Sequence, residues 1–429
     1  MNEKRSELTR KKWTRTEKGV ILQEYPDYET TFVFAINGQA FVNTDIYQAM
    51  QQWLASDPIF STAPGKVGYW GMPRVLIQRI LLGSMSLKDE KVMVDPTTAK
   101  SLVSQIVEYL NATEVIYEAR ARLLGVELTT PGVPITDGAF LVKLTDEEIN
   151  ERQPYIEFPD SYTSSIDSLN HYTEIRMTVS APVDSNVEVP ILSTQNTATS
   201  KARIMSDDIL SALRLYKPGL IELGPISLSS SFISGFSVGR IYALPIVSTQ
   251  MQLGASDIDS LQEAYRVVTE CQSSDKVLER ALHRFFLGRQ RYDLLDRLVD
   301  YVIAWESILL TVDRNALEDE LSYRFGINGA SILNSSELQK NRDAGLRMMK
   351  GIYSIRSKIV HGASDKDINK TLNKAGFNSI VEVDDDIEEK FRGVIFWLSR
   401  LNVNDRPYNK PGGWEQLLWG GWKPADTAT

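Results

Sequence analysis

Apolar residues recur at helical spacing throughout the C-terminal part of the chain. Over residues 292–312, leucine, valine, isoleucine and tryptophan return every three or four positions and cover a wide face, which predicts a helix buried among several others. The same spacing predicts further helices at residues 258–271, 276–287, 316–325, 343–361 and 384–401. We expect a break at residues 326–329 and a left-handed cap at Gly362. Together these segments predict an all-α helical bundle.

The first 250 residues have a mixed pattern in which short alternating runs stand beside helical stripes. Alternation predicts strands at residues 30–35, 39–42, 114–123, 139–144 and 173–179, the first two joined by an Asn-Gly turn. Helical spacing predicts helices at residues 45–55, 73–82 and 98–110. Proline-, serine- and threonine-rich joints are expected at residues 128–137 and 181–200, and turns between short strands at residues 223–239. The expected fold class is therefore a multidomain α+β protein, with a mixed α/β N-terminal part followed by the helical bundle.

Shifts in composition divide the chain into four expected segments: a basic tail at 1–19, a mixed α/β region at 20–250, the bundle at 251–404, and a tail rich in tryptophan and glycine at 405–429. Seven lysines and arginines in the first segment indicate a solvated, mobile tail, with a basic arm that touches phosphate as the alternative. Trp414, Trp419 and Trp422 are expected to pack on the rest of the protein, and a base-stacking surface is the alternative.

Charge and composition narrow the possible chemistry. The net charge of −9 does not suit a general nucleic-acid binder, so any RNA would need a local basic patch. One cysteine, Cys271, excludes a disulfide framework within the chain and a cysteine-based zinc site. With only His171, His283 and His361, we expect no histidine-rich metal site and no cofactor, although a carboxylate site for Mg²⁺ stays open. No apolar run approaches 18 residues, so we expect a cytoplasmic protein without membrane contact.

Residues 353–362, which read YSIRSKIVHG, carry the most informative motif. Arg356 and His361 stand five positions apart at the end of a helix, in the pattern R-x4-H. Histidine titrates near neutral pH and can transfer protons, while arginine stays charged and holds phosphate oxygens. The spacing alone also allows a structural interpretation. In it, His361 interacts favourably with the dipole at the C-terminus of the helix, and Arg356 forms a surface salt bridge.

Three stretches of the C-terminal part resemble the Apea-like branch of the HEPN superfamily. They read RLVDYVIAWESILL, ELSYRFGINGASIL and GIYSIRSKIVHG, and ILSALRLYKPGLIELGPI at residues 209–226 also resembles what precedes the bundle in that branch. The resemblance covers roughly residues 205–403 and implies a small helical bundle that often dimerises. In active members two R-x4-H motifs meet at one ribonuclease site, which here would assign Arg356 and His361 as catalytic residues.

This chain also departs from the pattern of that family. Ser357 follows the arginine, at a position where ribonuclease members often have asparagine, aspartate or histidine. The resemblance therefore implies ribonuclease activity less strongly than the full motif would. Ala363 replaces the tyrosine of the toxin–nucleotidyltransferase pairs, which disfavours control by AMPylation at that position.

Three charged residues near the motif are candidates for supporting roles. Asp300 and Glu306 lie in the most apolar helix and need partners. They form either buried salt bridges or caps, or they orient Arg356 and His361. Lys358 either faces solvent or helps to hold RNA, and Ser357 is a further candidate for RNA contact.

Two hypotheses about function follow. In the first, the chain is a metal-independent endoribonuclease, a toxin-like effector in stress or phage defence by abortive infection. It would act on single-stranded or tRNA-like RNA as a homodimer or higher homo-oligomer, with residues 20–250 as a sensor of a phage or host trigger. In the second, it is a non-catalytic HEPN module that binds nucleotides or RNA, or only dimerises. The acidic net charge and Ser357 favour the second.

Overall fold

A computed structural model describes most of the second half of the chain and parts of the first. The described residues are 9–16, 19–26, 52, 85–88, 91–145, 147–148, 173–183, 190–230, 236–238, 251–311 and 318–420. The hairpin predicted at 30–42 and the helix predicted at 73–82 lie outside them, as do His171, Trp422 and nearly all of the helix predicted at 45–55. The chain divides into two compact units, one of residues 1–206, 222–248 and 252–255, the other of residues 207–221, 249–251 and 256–429.

The described part of the first unit is mainly β-structure. Its strands are β1 (Thr9–Thr16), β2 (Gly19–Pro26), β3 (Met85–Lys88), β4 (Lys91–Val94), β5 (Glu114–Leu124), β6 (Val126–Leu128), β7 (Gly132–Thr136), β8 (Ala139–Lys143), β9 (Thr173–Pro182), β10 (Glu222–Ser229), β11 (Phe236–Val238) and β12 (Met251–Leu253). Helix α1 (Pro96–Asn111) precedes β5, and helix α2 (Pro190–Tyr216) follows β9. The strands predicted at 114–123, 139–144 and 173–179 and the helix predicted at 98–110 are confirmed.

Six strands form one sheet in the order β11-β10-β5-β9-β8-β7, and every neighbouring pair is antiparallel. Alternate side chains of β5 are buried, as expected for a strand with one face toward a core. Part of α2 lies against β9, where Ser206 donates to the sulfur of Met177 and Lys201 donates to the carbonyl of Ser180. The joint predicted at residues 181–200 is therefore wrong from Pro190 onward.

The N-terminal segment also differs from expectation. Strands β1 and β2 pair antiparallel in full register from Thr9 opposite Pro26 to Thr16 opposite Gly19. We expected a mobile tail over residues 1–19, but residues 9–16 form a strand of this hairpin. The basic residues between 10 and 15 therefore belong to a strand.

The second unit is helical over its described residues. Its helices after α2 are α3 (Ile258–Ser274), α4 (Lys276–Arg289), α5 (Leu294–Leu309), α6 (Glu318–Ser335), α7 (Arg342–Val360), α8 (Asp365–Ala375), α9 (Ile380–Ser399) and α10 (Gly413–Trp419), with single 3₁₀ turns at Ala255–Asp257 and Val403–Asp405. No strand occurs in residues 292–311 or 318–361, as predicted for the bundle. Together the sheet and the helices make an α+β protein.

The helical unit differs from expectation in three places. Helix α6 runs through the break expected at residues 326–329, because Gly326 and Gly329 allow α7 to approach closely: a Cβ at Gly329 would lie 2.7 Å from Met349. Helix α8 was not predicted. The segment from residue 405 was expected to pack on the rest of the protein, and its Tyr408 is buried, with its hydroxyl donating to Asp275 at 2.8 Å. Trp419, at the end of helix α10, was expected to pack as well but is 81% exposed.

Ion pairs lie inside the core of the helical unit. Glu388 on α9 accepts from Arg289 of α4 at 2.7 and 2.8 Å and from the Tyr301 hydroxyl of α5 at 2.9 Å, and it also pairs with Arg392. One turn earlier on α9, Asp384 pairs with Arg297 at 2.6 Å. These groups are nearly removed from water, so the charges depend on one another for solvation. Around them, aromatic rings of α4, α5 and α9 pack against one another, two pairs stacked and one edge to face.

Among the described residues, no helix is both long enough and apolar enough to cross a membrane.

Candidate functional site

The candidate site is built around the end of helix α7. Asn341 caps the start of this helix by accepting from the amide of Ala344 at 3.0 Å. At the other end His361 is the C-cap residue, and Gly362 has φ +67°, the left-handed conformation predicted for it. The amide of Gly362 donates to Ile359 and the amide of Ala363 to Lys358, which completes a Schellman motif. The backbone of His361 is therefore held in one defined place.

The chain turns sharply after His361 and enters α8. Ser364 caps that helix by accepting from the amide of Asp367 at 3.3 Å. Lys358 donates to the carbonyl of Asp367 at 3.0 Å and so links α7 to α8. The ammonium group of Lys358 therefore makes a structural contact within the unit. The sequence Ser364-x-x-Asp367 is a helix-start signal that could have revealed α8.

Helix α7 is fixed in the unit by its apolar face. Ile352 and Ile355 are fully buried, and Tyr353 packs against Phe325 of α6 with ring centroids 5.1 Å apart. Gly351 lies against Ala375 of α8, where no room exists for a Cβ. The helix thus has close neighbours on two sides, and Arg356 and His361 are carried on a well-anchored element.

Arg356 lies beside a carboxylate from the central helix. Its Nη2 is 3.6 Å from Oε2 of Glu306 on α5, and the two side chains are 27% and 18% exposed. Burial raises the pKa of Glu306, and the positive charge of Arg356 opposes that shift. The Nε of Arg356 is buried without a hydrogen-bond partner among the described residues. This arginine therefore has a partly buried partner that orients it, and a donor that is still unused.

His361 lies on the surface, at the end of the same helix. Five helical residues advance about 7.5 Å along the axis and turn about 140°, so Arg356 and His361 do not point the same way from a regular helix. Val360, the residue before His361, is 54% exposed, so an apolar side chain lies on the surface next to His361 in the chain. Among the described residues, His361 therefore offers the accessible imidazole at this end of α7.

The remaining candidates do not gather around the motif. The buried carboxylate of Asp300 is paired with Arg291 at 3.0 Å and with Arg284 at 3.5 Å, and neither partner belongs to the motif. Ser357 is half-buried, and its carbonyl accepts from the amide of His361 as part of the helix end. The structure thus brings Glu306 to Arg356, holds Lys358 against α8, and gives Asp300 its own pair of arginines.

The arrangement suits binding of phosphate and transfer of protons. A guanidinium donates to phosphate oxygens, and an exposed imidazole accepts and donates protons near neutral pH. In the part of the chain that the structure describes, no group of three or more histidine, cysteine, aspartate or glutamate side chains could hold a metal ion. Comparisons of the chain with protein-family models, with curated proteins and with solved structures gave no match.

Proposed function

We propose that this protein is a metal-independent endoribonuclease of HEPN type, in which Arg356 and His361 act on the phosphodiester of RNA. The observation that carries the proposal is the end of α7: an anchored helix, an arginine oriented by Glu306 at 3.6 Å, and an exposed histidine fixed by its Schellman motif. The resemblance of residues 205–403 to the Apea-like branch supports the same assignment.

In the proposed reaction, RNA supplies its own nucleophile. A histidine removes the proton of the 2′-hydroxyl, whose oxygen attacks the adjacent phosphorus, and the bond from phosphorus to the 5′-oxygen breaks. A second proton donor protonates the leaving oxygen, which gives a 2′,3′-cyclic phosphate and a 5′-hydroxyl. Arginine stabilises the extra negative charge on the phosphorane. Because each chain presents one R-x4-H motif, two chains meeting at this end of α7 supply the base and the acid.

The N-terminal region of the protein has a regulatory role in this proposal. We assign residues 20–250 as the region that senses a phage or host trigger and restrains the helical unit until it is needed. Such an effector would act in stress or in abortive infection.

The decisive experiment is cleavage of end-labelled single-stranded RNA in the presence of EDTA. We expect cleavage, no cleavage of DNA or of RNA with a 2′-deoxy substitution at the cut site, and a loss of roughly 10² or more in rate for His361→Ala. Arg356→Ala should lower the rate by a similar factor. Arg356→Lys should restore only part of the rate, because lysine lacks the planar guanidinium that donates to two phosphate oxygens at once. His283→Ala, which removes another exposed histidine, is the matched control.

Two outcomes would overturn the proposal: cleavage that disappears with EDTA, or full activity in His361→Ala. Light scattering should show at least a dimer under active conditions, and a stable monomer with full activity would contradict a site shared by two chains.

A second candidate, a non-catalytic RNA-binding or dimerisation module, is favoured by one observation. The charge of Arg356 is already partly neutralised by Glu306, as it would be in a purely structural salt bridge. In that case, His361→Ala would retain the biological effect of the protein.

A further inference from the structure

The helical unit contains a cavity at the start of helix α5. It lies between residues 292–295, one face of α8 and Ile380, the first residue of α9, and its volume is about 500 Å³. Sites for small organic molecules fall in the same range, at roughly 300–1,000 Å³. The cavity is therefore large enough for an organic molecule, and neither Arg356 nor His361 is among the described residues that line it.

Much of the cavity wall is apolar. Ile368 and Leu372 of α8 line it and are buried, at 5% and 1% exposure. Three half-buried aliphatic residues extend this wall: Leu294, Leu295 and Ile380. Tyr292, which also lines the cavity, is 69% exposed. An apolar body can pack on such a wall, and the face of an accessible aromatic ring attracts cations.

Helix α8 presents polar and apolar lining residues on one face. Asp365, Ile368, Asn369 and Leu372 follow one another at three- and four-residue spacing, so their side chains share a side of the helix. Asp365 is exposed, and within the described part of the chain its carboxylate has no hydrogen bond and no ion pair. A carboxylate without a partner therefore borders the apolar wall.

A second carboxylate of the lining has one oxygen in use. Asp293 caps α5 with Oδ1, which accepts from the amides of Leu295 and Asp296 at 2.9 and 3.0 Å. Its Oδ2 accepts no hydrogen bond from the described residues. None of the described lining residues is lysine or arginine, so the lining carries the charges of these two aspartates without a compensating cation.

The helix starts that meet at this cavity do not reverse this preference. The start of a helix attracts anions through its unpaired amides. Here side chains already accept from first-turn amides of all three helices: Asp293 for α5, Ser364 for α8 and Ser379 for α9. An anion would also meet the like charges of Asp293 and Asp365, so the lining favours a cation.

We propose that this cavity binds a small organic cation with an apolar body. The carboxylates of Asp293 and Asp365 hold the ammonium or guanidinium group, and the body packs on Ile368, Leu372 and the ring of Tyr292. This site does not depend on the proposed ribonuclease reaction, and its test uses no RNA.

The probe is dansylcadaverine, an aromatic sulfonamide with a terminal ammonium group, which becomes more fluorescent when its rings leave water. We expect one saturable site on the full-length protein. The double variant Asp293→Asn/Asp365→Asn should weaken the affinity roughly tenfold or more, because it removes both charges, while asparagine still caps α5. Asn369→Trp, which places an indole in the cavity, should abolish binding.

The matched control is Asp259→Asn/Asp343→Asn. Both aspartates are exposed and lie in the first turns of α3 and α7, outside the lining. This variant therefore loses the same total charge with the cavity unchanged, and it should bind as the wild type does. Circular dichroism checks that each variant is folded, and the Asp293→Asn/Asp365→Asn variant keeps the test valid if Asn369→Trp is not.

Absence of saturable binding overturns the proposal, as does an Asp293→Asn/Asp365→Asn variant that binds as tightly as its control. Two analogues with the same fluorophore test the charge. Dansylcadaverine acetylated on its amine is uncharged and should bind roughly tenfold more weakly or less, and the anion dansyl-aminocaproate should bind no better. Equal affinity of either analogue would refute the preference for a cation.

Discussion

The buried carboxylate of Glu388 gives the clearest quantitative prediction. Its side chain is 4% exposed and its partner Arg289 is 5% exposed, so neither charge has water to solvate it. Glu388→Gln keeps the size of the side chain but removes the charge that Arg289, Arg392 and Tyr301 share. The loss of one member of a buried ion pair costs about 3–5 kcal/mol, because the remaining charge stays buried and uncompensated.

Urea unfolding measures this cost directly. With a slope of about 2 kcal/mol per molar urea, the midpoint should fall by roughly 1.5–2.5 M. Tryptophan fluorescence is a suitable signal for the helical unit, because Trp305 is fully buried against Phe391, with ring centroids 5.6 Å apart.

The matched control is Glu263→Gln. Glu263 also pairs with an arginine, Arg400, at 3.1 Å, but those side chains are 33% and 65% exposed. An exposed pair contributes about 0–1 kcal/mol. If Glu388→Gln lowers the midpoint no more than Glu263→Gln does, the argument from burial is wrong.

Three further predictions concern the packing, titration and chemistry of the helical unit. Gly351→Ala should lower the free energy of unfolding by about 1–3 kcal/mol, because the new methyl group overlaps Ala375; an unchanged urea midpoint would contradict this. Burial raises the pKa of Asp384 from 3.8 to about 6, so the folded protein holds this proton more tightly and the stability contributed by the carboxyl falls as pH rises through that interval. Between about pH 4 and pH 7 the wild-type protein should therefore lose about 3 kcal/mol relative to Asp384→Asn in unfolding assays, and a constant difference would refute the assignment. Glu306→Gln should change stability by less than about 1 kcal/mol, because burial already disfavours its charge, but it should lower kcat for RNA more than it raises KM by releasing Arg356; unchanged kcat would exclude a positioning role.

Much of the helical unit could be predicted from the sequence. The helix predicted at 292–312 is found at Leu294–Leu309, because apolar residues at three- and four-residue spacing, Leu298, Val302, Trp305 and Leu309, are buried. Its start differs by two residues because Asp293 caps it, accepting from the amides of Leu295 and Asp296.

The failures have physical causes that local patterns do not contain. Residues 181–200 were expected to be a joint because they are rich in proline, serine and threonine, yet Pro190 begins a helix, where its missing amide hydrogen is harmless. Thr199 then bonds back to the carbonyl of Gln195 within that helix, at 2.7 Å. Similarly, Gly329 does not end α6; its lack of a side chain allows α7 to pack closely against this helix.

The candidate site shows the same division between local and tertiary information. The spacing of Arg356 and His361 and the cap at Gly362 are local features, so the sequence alone predicts them. The pairing of Arg356 with Glu306, rather than Asp300, depends on how α7 packs on α5, which no local pattern specifies.

The pair Arg289–Glu388 also has a consequence for the time course of folding. Its two members are 99 residues apart in the chain. At about 5–20 residues per second, a ribosome needs roughly 5–20 s to reach Glu388 after it has made Arg289. During that interval α4 and α5 are complete but their buried arginine has no carboxylate, so they cannot close into a stable core. The nascent helical unit therefore gains its final packing only when α9 has emerged.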